Sequence, residues 1–282
     1  MSRSEDEIRS VARNLLEKNL VELVIGYEDS ENGVRPCFIS KPDEASRLVW
    51  NHECWFNLAR YLRIFKNKRV GIVTKGCDGR SIVELIKENQ VERKNVFIIA
   101  VECDGVYKPV KYGSANRERR IADYCRKCGI RVSPLRDHLV ESDGQNLLNK
   151  GLKVNEEHAL DWLSLFRKCL KCMACVRACP FCYCTECSVE GFKPMLVHRL
   201  RNSQELFTFH LTRALHMAGR CVECGACETA CPVEIPLTKL YHELNEWFRE
   251  NYNYAPGMSL EEEPPTLVFK EGEKVEEYAF HK

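Results

Sequence analysis

The chain has 282 residues, with 42 Lys and Arg against 41 Asp and Glu, and a net charge of +1. This balance argues against a basic nucleic-acid-binding surface, and neither a signal peptide nor an apolar stretch long enough to span a bilayer is evident. We therefore expect a cytoplasmic protein with no membrane span and no nucleic-acid partner. Because cytosolic thiols are kept reduced, its seventeen cysteines predict metal binding rather than disulfides.

The first residues predict an amphipathic helix that ends at about Lys18. Apolar side chains recur at helical spacing from Ile8 to Leu16, which gives the helix one face to bury. Ser4 and Glu7 stand three residues apart in the order of a capping box, so we expect Ser4 to begin this helix.

A β-hairpin and two helices are predicted next. The β-like runs 20–27 and 34–40 flank the turn-forming segment EDSENG, an arrangement typical of a hairpin. Helical patterns follow over about 42–50 and about 54–65. The second of these patterns places Cys54 at the start of a helix.

The next segment predicts a βαβ unit. It reads as a strand at 70–73, a glycine-rich turn, a helix at 81–89 and a strand at 96–101, which implies parallel strands with a right-handed crossover. Cys77 follows the first strand and Cys103 follows the second. In an open α/β sheet, the carboxyl ends of the strands are where ligands bind.

The glycine-rich turn, Gly76–Gly79, is interpreted as a tight turn that aims Cys77. Its backbone amides precede a helix and would suit a phosphate, but the segment matches neither a Walker loop nor a G-x-G-x-x-G motif. Lys75 and Arg80, on either side of the turn, are interpreted as solvated surface charge.

A C-x-x-C pair, Cys125 and Cys128, follows the βαβ unit. If the fold brings this pair to the two strand-end cysteines, the four thiols form a complete four-thiolate site. Each of the four alone is more often a plain thiol, and a lone C-x-x-C is also compatible with a zinc half-site or a redox pair. From the residues alone, an iron–sulfur cluster, zinc and no metal all remain open.

Two copies of C-x-x-C-x-x-C-x-x-x-C-P occur at 169–180 and 221–232. Bacterial-type ferredoxins hold 4Fe-4S clusters with this run, and the fourth Cys of each run ligates the other cluster. The predicted ligands of one cluster are Cys169, Cys172, Cys175 and Cys231, and those of the other are Cys221, Cys224, Cys227 and Cys179. Two 4Fe-4S clusters predict a role in electron transfer.

Helices are predicted around and between the two runs, including one whose face aligns Leu206, Phe209, Arg213 and Met217. The predicted fold class is therefore α/β, with a βαβ-containing domain at 1–145 followed by a mainly helical double-cluster ferredoxin domain at 146–255. Residues 256–282 are acidic and aperiodic, and are predicted to form an extended arm that lies on a partner subunit.

Three further cysteines follow the first run, in the segment CPFCYCTEC. The hypothesis of a fourth metal site takes Cys182, Cys184 and Cys187 from this segment and Cys54 from the α/β domain. Cys37 is a weaker candidate for the fourth ligand.

The βαβ stretch, with Cys77 in KGCDGR, Cys103 in VECDGV, and Cys125 and Cys128 in CRKC, resembles the β subunits of deazaflavin-coenzyme-reducing hydrogenases and formate dehydrogenases. The resemblance covers about 69–135. In that family the matching cysteines bind one 4Fe-4S cluster beside a flavin, so the resemblance implies a third cluster here and a flavin on this chain or on a partner. The double run resembles the iron–sulfur subunits of heterodisulfide reductase.

The predicted function is that of an iron–sulfur subunit of an anaerobic oxidoreductase complex. It would relay single electrons between a flavin- or metal-containing partner and another redox protein, so its partners would be the other redox subunits of a hetero-oligomer. The alternative is a flavin-dependent oxidoreductase β subunit that acts on a deazaflavin or nicotinamide coenzyme. The double run argues strongly against a third interpretation, a zinc-stapled interaction module.

Overall fold

The computed structural model describes residues 2–109, 120–143, 160–187, 189 and 202–268. Its strands are β1 (Leu23–Ser30), β2 (Gly33–Ile39), β3 (Val70–Thr74), β4 (Val96–Val101) and β5 (His138–Val140). Its α-helices are α1 (Arg3–Glu17), α2 (Gly76–Lys87), α3 (Asp123–Arg126), α4 (Trp162–Arg167), α5 (Ala174–Ala178), α6 (Ser203–Met217), α7 (Ala226–Thr229) and α8 (Leu237–Tyr252). Short 3-10 helices span Pro42–Arg47, Leu58–Phe65 and Arg93–Asn95.

The five strands form one mixed sheet in the order β2-β1-β3-β4-β5. Strands β1 and β2 pair antiparallel, which confirms the predicted hairpin, and Ser30 opposes Gly33 so that only two residues form the turn. The other neighbouring strands pair in parallel, as the βαβ pattern predicts. The α/β fold class is thus confirmed.

Strand β5 was not predicted, because its three residues lie in a polar segment with little periodicity. It pairs in parallel with β4, and Val140 lies opposite Val101. Just before it, the Asp137 carboxylate accepts a hydrogen bond from the backbone N–H of Ile98 at 2.8 Å. A side chain and a neighbouring strand therefore hold this segment, rather than its own β propensity.

The predicted capping residue of α1 is wrong by two positions. Ser2 begins the helix and its hydroxyl accepts from the backbone N–H of Glu5, whereas the Ser4 hydroxyl donates to the Asp143 carboxylate. The buried face of the helix, which includes Ile8, packs on one side of the sheet.

Helix α2 begins at Gly76, five residues before the predicted start, so the expected turn is the first turn of the helix. A Cβ atom on Gly76 would collide with the backbone oxygen of Ile130, and one on Gly79 would collide with the Ser133 side chain. The two glycines therefore let the segment that follows the C-x-x-C pair lie directly against α2. The predicted helix at 54–65 begins only at Leu58, so Cys54 lies before it.

The two predicted domains share one core. Phe209 and Tyr241 of the helical half belong to the same buried apolar cluster as Ile72 and Leu85 of the α/β half. Arg80 is also buried, contrary to its interpretation as surface charge, because it donates to backbone oxygens at both Val222 and Pro256. The predicted boundary at 145 lies outside the described residues.

Gly257, near the start of the predicted arm, and Tyr254, just before it, both contact α2 of their own chain. The backbone N–H of Gly257 donates to the buried carboxylate of Glu84 in α2 at 2.6 Å, and the Tyr254 hydroxyl lies 3.4 Å from the same group. Gly257 has a φ of +74°, and a Cβ atom there would collide with the backbone oxygen of Arg80. Among the described residues, no helix combines the length and apolar character of a membrane span.

Candidate metal centres

The two cysteine runs fold in the same way. In each, the residue two positions after the first cysteine lies in the left-handed region, Lys171 at φ 49° and Glu223 at φ 56°. This conformation directs the backbone N–H of Lys171 to the sulfur of Cys169 at 3.3 Å, and that of Glu223 to the sulfur of Cys221 at 3.4 Å. Hydrogen bonds to ligand sulfur are one of the means by which proteins adjust the potential of an iron–sulfur cluster.

The fourth cysteine of each run crosses to the other run. One cavity, the first site, is lined by Cys169, Cys172, Cys175 and Cys231. Another cavity, the second site, is lined by Cys221, Cys224, Cys227 and Cys179. The structure thus groups the eight cysteines into the two sets that the ferredoxin rule predicts.

The fold also brings the other four predicted cysteines together. Cys77 lies in the first turn of α2, Cys103 follows β4, and Cys125 and Cys128 lie in and just after α3. All four line one cavity, the third site. The parallel strands β3 and β4 end at the same edge of the sheet, which explains why residues so distant in the chain meet there.

Thiols of the third site are buried, and burial disfavours their charged thiolate form. Burial raises the pKa of Cys103 to about 11 and that of Cys125 to about 12, and it raises the pKa of Cys77 well above its ordinary value. Redox-active C-x-x-C thiols have lowered pKa values instead. Metal ligation would supply the positive charge that stabilises buried thiolates.

Zinc and a 4Fe-4S cluster require different arrangements of the four thiols of the third site. Zinc needs its sulfur ligands at about 2.3 Å from one point. Within the described part of the chain, which includes every cysteine, no three Cys, His, Asp or Glu side chains converge closely enough to hold one metal ion. Four cysteines around an open cavity suit the larger body of a 4Fe-4S cluster.

The three sites follow one another through the protein. Cys224, a member of the second site, also lines the cavity of the third site. The guanidinium of Arg213 lines the second site and donates to the backbone oxygen of Cys175, a member of the first. The second site therefore adjoins each of the other two.

A buried ion pair lies at the start of α2 beside the third site, contrary to the interpretation of Lys75 as surface charge. The Lys75 ammonium and the Asp78 carboxylate are 2.8 Å apart and are 3% and 0% exposed. Lys75 also donates to the Tyr27 hydroxyl and to the backbone oxygen of Phe56. Burial opposes the charged form, but Asp78 and Tyr27 raise the pKa of Lys75 well above its usual value.

The cysteines assigned to the hypothetical fourth metal site do not lie together in the structure. Cys54 is fully buried and its sulfur lies 4.0 Å from the backbone oxygen of Val49, whereas Cys184 is exposed. Cys182 lies beside Cys179, and the hydrogen bond between the two thiols lowers the pKa of Cys179. Cys187 is half-buried in the core of the helical half, and Cys37 packs beneath α1 on the other face of the sheet.

Gly225 in the second run marks a close contact between the second and third sites. Gly225 and Met173 occupy the same position in their runs, and both are left-handed, at φ 74° and 62°. Backbone conformation alone therefore does not require glycine there. A Cβ atom on Gly225 would collide with the ring of Tyr124, next to Cys125. The glycine is needed because the second run packs directly on the segment of the third site.

Comparison with known proteins agrees with these features. Residues 165–235 match the family described as a 4Fe-4S dicluster domain. The chain is 22% identical to the β subunit of an F420-dependent formate dehydrogenase of Methanocaldococcus jannaschii, over 89% of this chain and 91% of that protein. It is also 22% identical to the β subunit of F420-dependent formate dehydrogenase 1 of Methanococcus maripaludis, over 92% of each.

The similarity to formate dehydrogenase β subunits thus extends far beyond the stretch 69–135 from which it was predicted. It includes the double run and most of both halves of the chain. The chain is an iron–sulfur protein that contains a 4Fe-4S dicluster domain and is similar, over about nine-tenths of its length, to β subunits of F420-dependent formate dehydrogenases.

Proposed function

We propose that this chain is an electron-transfer subunit of a cytoplasmic oxidoreductase complex and that it holds three 4Fe-4S clusters in series. The observation that carries the proposal is the grouping of twelve cysteines into three sets of four, with Cys224 shared between the second and third cavities. When bound, the clusters supply one-electron redox chemistry. The protein would hold them, exclude water and adjust their potentials.

The two ends of this series differ in their surroundings. At the first site, Cys172 is exposed, which would bring a bound cluster close to the surface where a redox partner docks. At the other end, the third site adjoins a further cavity through Cys103 and Lys75, which line both. We infer that electrons enter or leave the chain at these two ends.

The two relatives indicate what kind of partner subunit this chain would have. Both relatives are β subunits of F420-dependent formate dehydrogenases, so the partner of this chain would be another redox subunit that holds a flavin or a metal. All seventeen cysteines lie in the described residues and none is in a disulfide, which suits a reducing compartment.

A second function, that of a flavin-dependent oxidoreductase subunit, is favoured by the cavity beside Cys103. Its lining includes Trp50, His52, Lys75 and Asp104. An aromatic ring, hydrogen-bonding groups and a buried cation are the groups that a flavin ring would use. In this case a deazaflavin or nicotinamide coenzyme would react at this cavity.

Reductive titration under anaerobic conditions tests the proposal. Dithionite should deliver about three electrons per chain, one for each cluster, with bleaching of the visible absorbance. Uptake of no electrons by iron-loaded protein would contradict an electron-transfer role. Two further electrons, a flavin spectrum and reduction of a deazaflavin or nicotinamide coenzyme would establish the second function instead.

A further inference from the structure

Arg213 is a buried cation at an apolar position. It lies on the inward face of α6 in line with Phe209 and Met217, and its exposed fraction is only 3%. One terminal nitrogen donates to the Tyr241 hydroxyl at 2.6 Å, and the other donates to the backbone oxygen of Cys175 at 3.1 Å. Its Nε atom is buried and has no hydrogen-bond partner among the described residues.

Among the described residues, no carboxylate pairs with Arg213. Its hydrogen-bond partners there are the Tyr241 hydroxyl, the backbone oxygen of Cys175 and the Cys182 thiol. The other titratable groups near it are the thiols of Cys179 and Cys227 at the second site and of Cys175 at the first. The guanidinium remains protonated at all ordinary pH values.

A buried charge without a counter-ion is strongly destabilising. The burial of the Arg213 guanidinium is therefore explained if negative charge lies next to it. Thiolate-ligated clusters in the first and second sites would carry that charge. The guanidinium lies next to cysteines of both sites, so this one cation would balance negative charge on both clusters. Reduction of either cluster adds a negative charge, which a fixed neighbouring cation favours.

We propose that Arg213 is a counter-ion shared by the clusters of the first and second sites and that its charge raises the reduction potential of both. By bridging the two anionic groups, it also reduces the repulsion that one reduced cluster exerts on the other. Arg213 is a positioning and tuning residue, because it ligates neither cluster. The inference depends on the proposed function, since it requires clusters in both sites.

The test is an anaerobic redox titration, followed by electron paramagnetic resonance, of Arg213→Gln and Arg213→Lys. In the glutamine variant the midpoint potentials of the first and second clusters should both shift to more negative values, while that of the third cluster stays unchanged. The lysine variant keeps the charge and should keep both potentials close to their original values. Arg93→Gln removes an arginine that pairs with Asp137 and serves as the matched control.

Iron content separates this inference from the proposed function. Full iron content in Arg213→Gln with unchanged potentials would overturn the role of Arg213 and leave the three clusters intact. If the glutamine variant fails to retain iron, Arg213→Lys decides: retained iron with near-original potentials supports the role of the charge. Loss of iron in both variants, or potentials as low in the lysine variant as in the glutamine variant, would assign Arg213 a purely structural role.

Discussion

Serine in place of Cys179 is expected to remove the cluster of the second site, although Cys179 belongs to the first run. Serine in place of Cys231 should likewise remove the cluster of the first site. The reason is that each of these cysteines lines the cavity of the opposite run. Iron should fall from about twelve to about eight atoms per chain in each variant.

Paramagnetic resonance spectra of the reduced proteins identify which cluster is lost. Cys179→Ser should lack the same signal as Cys224→Ser, and Cys231→Ser should lack the same signal as Cys172→Ser. Cys184→Ser changes an exposed cysteine outside the three sites and should retain all the iron. If each of the two variants instead lost the cluster of its own run, the crossing of ligands would be wrong.

Alanine in place of Asp78 is expected to produce the largest loss of stability. The Asp78 carboxylate is fully buried, pairs with Lys75, and accepts hydrogen bonds from the backbone N–H groups of Lys75 and Leu58 at 2.9 and 3.2 Å. Its removal leaves the Lys75 ammonium buried without a counter-ion, which costs about 3–5 kcal/mol. Urea denaturation of the iron-loaded protein measures this change in the free energy of unfolding.

The same variant should also lose the cluster of the third site, because Cys77 lies next to Asp78 in the first turn of α2. Asp137→Ala is the matched control: it removes a half-buried carboxylate that pairs with Arg93, and should cost about 1 kcal/mol with no loss of iron. An Asp78→Ala protein as stable as the control would show that the buried ion pair contributes little.

The cysteine sets were predictable because the information for them is local. Each run carries three ligands within seven residues, and the ferredoxin rule supplies the fourth. At the third site, Cys77 and Cys103 each follow a strand, and parallel strands bring their ends together. The fold class and the hairpin were predictable for the same reason, since they follow from short-range periodicity and turn residues.

The features that sequence reasoning missed depend on contacts between distant segments. Gly76 is needed because Ile130 lies against it, and Gly225 because Tyr124 does. Neither glycine could be assigned this role before the packing was known. Arg213 was correctly placed on the face of its helix that includes Phe209, but an apolar face gives no indication that a buried guanidinium bridges two sites.

The fourth metal site stays a prediction that the structure does not support. Three of the four cysteines in CPFCYCTEC were assigned to it, but in the structure Cys182 faces Cys179 while Cys184 is exposed. The surroundings of Cys54 are the backbone of Val49 and the side chain of Asn51. Closeness in sequence does not ensure that side chains converge on one point.

Counting iron and zinc in anaerobically purified protein shows whether the three sets of four cysteines each hold a cluster. We expect about twelve iron atoms per chain and no stoichiometric zinc. About sixteen irons would show that the remaining cysteines form a fourth cluster after all. About eight irons, with or without one zinc, would contradict a third cluster and with it the continuous path through the chain.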